Sequence, residues 1–270
     1  MSKSYHRVLT IAGSDSGGGA GIQADLKTFA ANGCYGMSVI TALTAQNTQG
    51  VTGIHAVPPA FAVEQMEAVF TDIGTDAVKI GMLFSAELIE AVARQLKKHG
   101  APNIVLDPVM VAQSGDKLLQ DDAIEAIKEH LMPLAHVVTP NLPEAAVLLG
   151  RELQAGEDLH QGAKDLARYG SQSVLIKGGH MEDAQSSDLL FLVQENRFIE
   201  LEGDRIETKN NHGTGCTLSS AIAAYLAKGN SIEDSVRHAK VYITEAIRNG
   251  ARYALGHGHG PVHHFFEFWR

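Results

Sequence analysis

Short apolar runs rich in β-branched residues alternate along this chain with longer stretches whose apolar positions recur every three or four residues. The runs Val8–Ile11, Met37–Leu43, Ala77–Ile80, Ile104–Leu106, His136–Val138 and Ser173–Ile176 read as strands. Between them the spacing predicts helices from Gly21 through Ala31, then over Ala60–Phe70, Ala86–His99, Asp122–Leu131, Pro143–Leu149 and Leu159–Tyr169. In Ala86–His99 the apolar set is Leu88, Ile89, Val92 and Leu96, and Gly100 stands where a helix stop is needed. A hairpin from Leu189–Val193 to Arg197–Leu201 follows, and then two long helices, Gly215–Ala227 and Ile232–Arg252. Strands alternating with helices imply right-handed βαβ units and a mostly parallel sheet covered on both faces.

Length and composition narrow this α/β picture. At 270 residues and 44% hydrophobic, with no Pro- or Ser-rich linker, the chain reads as one domain. A formal charge of −9 argues against a broad nucleic-acid or anionic-membrane surface. Cys34 and Cys216 form no disulfide framework, no apolar stretch approaches the ~20 residues of a membrane span, and Met1–Arg7 does not resemble a signal peptide. These features suit a reducing cytoplasm.

Open parallel sheets bind ligands at the carboxyl ends of their strands. The polar residues expected there are Asp15, Gln46, Asp107, Asn141 and Lys177, joined by Cys216 at a helix start. The loop Gly13–Gly21 carries more glycines than a tight turn requires, which favours close approach of backbone to a ligand. It matches neither the P-loop nor the dinucleotide fingerprint. The segment Asn211-His212-Gly213-Thr214-Gly215-Cys216-Thr217 opens a helix with unobstructed amides and the positive end of the peptide dipoles. That is an anion pocket suited to a transferring phosphoryl group. The same field should lower the Cys216 thiol pKa and favour thiolate; spacing alone leaves it equally open that Cys216 is a small apolar helix residue. Asp107 and Glu144 fit a Mg²⁺ role, although Glu144 also reads as an ordinary first-turn acid. Lys177, before Gly178 and Gly179, is placed to reach phosphate oxygens. The histidines His257, His259, His263 and His264 lack ligand-spaced partners and read as a solvated or structural tail.

These words in this order resemble the bacterial hydroxymethylpyrimidine/phosphomethylpyrimidine kinases of thiamine biosynthesis, within the ribokinase superfamily. The resemblance runs from Leu9 to about His264 and includes Thr44-Ala45-Gln46-Asn47-Thr48, Asp107-Pro108-Val109-Met110, Thr139-Pro140-Asn141 and Ile176-Lys177-Gly178-Gly179. It implies a ribokinase-like domain, ATP and Mg²⁺ as cosubstrate and cofactor, and two successive phosphorylations of an aminopyrimidine. By the same resemblance Gln46 would hydrogen-bond the pyrimidine with Gly13, Asp25 and Met82 near it. Lys177 and Asn141 would meet ATP, Asp107 and Glu144 would act around Mg²⁺, and Gly213, Thr214, Gly215 and Cys216 would form the anion hole. A homodimer and a lid at Val111–Leu119 are also expected.

Rival readings are a pyridoxine-type vitamin kinase, a nonenzymatic nucleotide-binding regulator and a cysteine-dependent hydrolase. Gln46 favours the pyrimidine over pyridoxine, because one amide can meet both an amino donor and a ring-nitrogen acceptor. Asp107, Glu144, Lys177 and Cys216 together are more than a sensor needs, and no His is clearly placed to pair with Cys216. The two acceptors differ: an alcohol benefits from a base, whereas a phosphate is already ionised near neutral pH. Cys216→Ala is therefore expected to slow phosphorylation of the alcohol much more than that of the monophosphate; equal losses, measured with each acceptor separately, would remove the base.

Overall fold

The structure is a computed structural model that describes residues 3–110, 122–154, 156–178 and 187–269. The expected lid at Val111–Leu119 lies outside the described residues. Among the described residues nine strands form one sheet in the order β3-β2-β1-β4-β5-β6-β7-β8-β9. They are β1 (Arg7–Asp15), β2 (Tyr35–Asn47), β3 (Gly50–Ala56), β4 (Ala77–Ile80), β5 (Ile104–Leu106), β6 (Val137–Val138), β7 (Ser173–Ile176), β8 (Asp188–Leu192) and β9 (Arg197–Leu201). The central strands from β2 through β1 to β7 pair in parallel, while β3, β8 and β9 add antiparallel edges. Alternate strand residues point to opposite faces, so the apolar runs feed two separate cores. Leu9, Val78, Leu106 and Val174 enter one, and Val8, Ala77, Val105 and Leu175 enter the other.

The first core is covered by α2 (Pro59–Asp72), α3 (Ala86–His99), α4 (Ala123–Ala126), α5 (Leu142–Leu149) and α6 (Glu157–Ala167). The second is covered by α1 (Gly21–Ala31), α7 (Thr214–Ala227) and α8 (Ile232–Gly250). Helix α3 forms as its pattern requires. Ser85 caps its first turn by accepting from the Leu88 amide, Gly100 closes it at φ 58°, and Leu88, Ile89, Val92 and Leu96 are all buried. Burying each of these side chains contributes about 1.5–3 kcal/mol. The helix expected over Asp122–Leu131 is α-helical only to Ala126 and continues as a π turn over Ile127–Leu131. Strand β2 runs on past Leu43 to Asn47, and β3 turns back against it; the polar, exposed β3 has no apolar alternation to announce it.

From β1 the chain winds first to β2 and then, through α2, to β4 on the other side. The β1–β4 junction is therefore where the winding reverses, and a crevice opens above their carboxyl ends. Below it, Lys79 of β4 and Asp25 of α1 form an ion pair with both side chains fully buried and Nζ 3.0 Å from each carboxylate oxygen. Thr10 Oγ1 and Ser220 Oγ also donate to Asp25, at 2.6 and 2.7 Å. Lys79→Met would leave a buried carboxylate without its cation, a loss of about 3–5 kcal/mol. The expected midpoint of thermal unfolding falls by roughly 6–15 °C; a fall of less than about 2 °C would show that the pair does not hold α1 to the sheet.

Candidate active site

A cleft of about 880 Å³ occupies the crevice. Among its lining residues are Gly13, Gln46, Met82, Asp107, Asn141, Glu144, Lys177, Gly213, Thr214, Gly215 and Cys216, so residues expected from many strand ends meet around one space. Asp25 is the exception: it lies behind the wall and reaches the cleft through Lys79.

Helix α7 places the expected anion pocket. Gly213 is its N-cap at φ 79°, and a Cβ there would collide with the carbonyl of Gly19. The first-turn amides of Gly215 and Cys216 have no acceptor within the helix and face the cleft end. Two hydroxyls one turn further along fix the helix to the charges below it. Ser219 Oγ donates to Asp107 Oδ2 at 3.1 Å, and Ser220 Oγ donates to Asp25.

Asp107 and Glu144 bracket one lysine. Lys177 Nζ lies 2.9 Å from Asp107 Oδ1 and 3.8 Å from Glu144 Oε2. Burial opposes ionisation of Asp107, but Lys177 and Lys79 outweigh it and hold the carboxyl below its usual range. Burial, helped by Asp107 and opposed by Lys177, pushes Glu144 up to about 7. With Glu144 drawn to about 7, Asp107 and Glu144 around one ammonium supply two hard oxygen donors, the kind of set Mg²⁺ takes. Glu144 is also part of a capping box: it accepts from the Asn141 amide while Asn141 Oδ1 accepts from the Glu144 amide, both at 2.8 Å. Asn141, which lines the cleft, thus also starts α5.

The expected thiolate at Cys216 is corrected by the structure. Burial pushes the thiol up to about 11, and Asp25 and Asp107 add to that against the pull of Lys79 and the Gly21 amide. The helix-start field is outweighed by loss of water and by two nearby carboxylates.

The glycine loop is corrected as well. Its amides at Gly17, Gly19 and Ala20 donate to the Asp15 carboxylate at 2.8, 3.0 and 2.8 Å, and His212 Nε2 donates to the same group at 2.8 Å. The loop therefore turns several donors inward rather than toward a ligand, and Gly19 is small because His212 packs on it. The cleft meets Gly13, Ser14, Asp15, Ala20 and Gly21, and not the Gly17–Gly19 stretch. Residue Gly13 leaves space that the Met82 side chain fills. On the neighbouring strand, Thr44 Oγ1 lies 2.7 Å from the Ser14 carbonyl and 3.1 Å from Gln46 Oε1, linking the end of β1 to the Gln46 side chain.

Sequence reasoning passed over Lys79, Ser219, Ser220 and the Asp15–His212 pair. The only local signal for Lys79 was a charge inside the four-residue strand Ala77–Ile80. Of the tail histidines, His263 and His264 are buried and structural, with His264 Nε2 3.0 Å from Thr217 Oγ1, while His257 and His259 are exposed.

Residues 15–263 match the family model described as phosphomethylpyrimidine kinase. A hydroxymethylpyrimidine/phosphomethylpyrimidine kinase of Rhizobium meliloti is 52% identical, with 97% of this chain and 98% of that protein covered. A thiamine biosynthesis bifunctional protein of Geobacter sulfurreducens is 54% identical over 95% of this chain, and the chain spans about half of its length, 52%. The solved pyridoxal kinase of Staphylococcus aureus in complex with AMP-PCP and pyridoxal superposes with a TM-score of 0.90 at 37% identity, covering 98% of this chain and 96% of that one. The α/β, ribokinase-like architecture implied by the sequence is the one found. With its fold and nearly its whole length in agreement, the chain belongs to the phosphomethylpyrimidine kinase family.

Proposed function

We propose that this chain transfers the γ-phosphoryl group of Mg·ATP to 4-amino-5-hydroxymethyl-2-methylpyrimidine and then to the resulting monophosphate. The observation that carries this reading is the two-ended cleft. Gln46 lies near the end of β2, while Asp107, Glu144 and Lys177 follow β5, β6 and β7 further along the sheet, and the α7 start lines the same cleft. Gln46 meets the amino group and ring nitrogen of a flat pyrimidine. The backbone amides of Gly215 and Cys216 receive the charge on the transferring group, where positioning and electrostatics supply most of the rate. Lys177 and Asn141 approach the ATP phosphates, Met82 and Gly13 border the ring, and Asp25 acts from behind by holding Lys79. Asp107 and Glu144 would hold Mg²⁺, which supplies charge neutralisation at phosphate oxygens when bound. The active species is read as a homodimer in the cytoplasm; among the described residues no helix is long and apolar enough to cross a membrane.

A thiol near 11 is about one part in 10⁴ thiolate at pH 7, so Cys216 is no standing base. If the minor thiolate takes the proton of the alcohol, the rate of the first step depends on that fraction and the second does not.

Offered the hydroxymethylpyrimidine, its monophosphate and pyridoxal with Mg·ATP, the protein releases ADP with both pyrimidines; release with pyridoxal alone would favour the vitamin-kinase reading suggested by the structural likeness. Above pH 7.5 the alcohol step speeds up about tenfold per pH unit toward 11, because thiolate is the working form, while the phosphate step stays level. In Cys216→Ala that slope is lost; a slope that survives the substitution assigns Cys216 to positioning through its amide alone. Glu144→Gln raises the Mg²⁺ concentration for half-maximal rate by roughly tenfold, read by metal titration at fixed ATP, and an unchanged requirement would remove Glu144 from the metal.

A further inference from the structure

The run Gly256–Gly260 lines no part of the cleft, yet its backbone is fastened to two of the cleft's walls. Three of its glycines stand where no side chain fits. A Cβ at Gly256 or Gly258 would strike Thr48, and one at Gly260 would strike the side-chain oxygen of Asn210. Thr48 lies just past Gln46 in the β2–β3 turn, and Asn210 lies just before the anion loop.

The hydrogen bonds close on themselves. The Gly258 amide donates to Thr48 Oγ1 at 3.2 Å and the His259 amide to the Thr48 carbonyl at 2.8 Å. His259 Nδ1 reaches Asn211 Oδ1 at 3.1 Å, and the His212 amide donates to the Gly260 carbonyl at 3.0 Å. From His212 the path crosses to Asp15 at 2.8 Å and into the glycine loop. There Ser16 Oγ donates to the Gln46 carbonyl and accepts from the Gln46 amide, both at 2.8 Å, which returns the path to β2. Four segments distant in sequence thus form one ring, and the cleft-facing members of that ring include Gln46 and the start of the anion loop. Strand β3, which carries the other side of the turn, is a largely exposed edge that pairs with β2, and the β1–β2 ladder ends at Asp15 and Thr44, two residues short of Gln46.

We propose that this ring sets the separation between Gln46 and Gly213–Cys216, with Thr48, Gly258 and His259 as positioning residues that govern acceptor selection without touching substrate. The inference rests on the reading of the Gln46 wall as the acceptor end. Displacement by about 1 Å is enough to cost ~10²-fold in a positioned reaction, so opening one link is measurable. Lys177 is held by Asp107, and α7 is tethered by Ser219 to Asp107 and by Ser220 to Asp25, all outside the ring, which touches the helix only through the loop entering it; acceptor parameters therefore move more than those of ATP.

The test compares the full-length protein with Gly258→Ala, Thr48→Val and Thr48→Ser. It measures kcat and KM for the acceptor and for ATP separately, together with the melting midpoint. In Gly258→Ala the acceptor KM rises about tenfold and kcat falls, while the ATP KM stays within about twofold. Thr48→Val shifts the acceptor KM in the same direction by about threefold, and Thr48→Ser, which keeps the hydroxyl, restores it. Acceptor and ATP parameters moving together in step with the midpoint, or neither moving, would overturn the proposal. Should Gly258→Ala fail to fold, the valine–serine pair at Thr48 decides it. A wild-type protein that uses only pyridoxal would overturn the pyrimidine reading, and the same variants measured with pyridoxal would still decide the ring.

Discussion

Two lysine ammonium groups sit beneath α7, and the cleft depends on how each is neutralised. Lys79 is fully buried, and a lone ammonium there would carry a desolvation cost of several kcal/mol. Asp25 accepts two hydrogen bonds from it and one each from Thr10 and Ser220, so the carboxylate is satisfied by its whole surroundings. The Lys177–Asp107 pair repeats the scheme with Ser219 as the tether from the same helix. Gly215 and Ser219, like Cys216 and Ser220, are four residues apart and share a helix face. Each pair is therefore tied to the stripe of α7 that also presents one of the anion-pocket amides, and seating the charges seats the helix start.

That arrangement divides the two glycine-rich segments by role. In the α7 start the amides are left open by helix geometry, and the glycines keep side chains out of the way. In the loop after β1 the amides are consumed by Asp15, and Gly19 is required because another loop presses on it. Two segments of similar composition have opposite polarity toward the cleft, one offering donors and the other burying them.

The order of elements was legible because two-sided burial makes each central strand a continuous apolar run and each covering helix an amphipathic one. The strand-end residues Asp107, Asn141 and Lys177 were legible for the same reason: a polar group that directly follows an apolar run has to sit at the sheet's edge. Pairings across large separations were not. Nothing near Lys79 announces Asp25, 54 residues earlier, and nothing near His212 announces Asp15. The Cys216 thiol shows the same limit in energetic form. A helix start is visible in local sequence, whereas exclusion of water and the approach of Asp25 and Asp107 exist only once the fold has closed. The irregular end of α4 was hidden because a π turn keeps the apolar spacing of a helix.

The ring around the acceptor wall also bears on the order in which the molecule assembles. It joins residues 197 and 210 positions apart, among the longest closures a chain of this size can make. Such contacts bear their loop-closure entropy before they return any stability, so they belong to the late side of the folding barrier. Interactions absent from a transition state leave the folding rate nearly untouched and act by slowing unfolding. This closure is then a kinetic clasp. All nine strands can be made and paired while it is still open, and it shuts only when Gly260 has been synthesised and has found His212. A chain interrupted shortly before that point could pair its strands, but would lack the closure between the β2–β3 turn and the loop that enters α7.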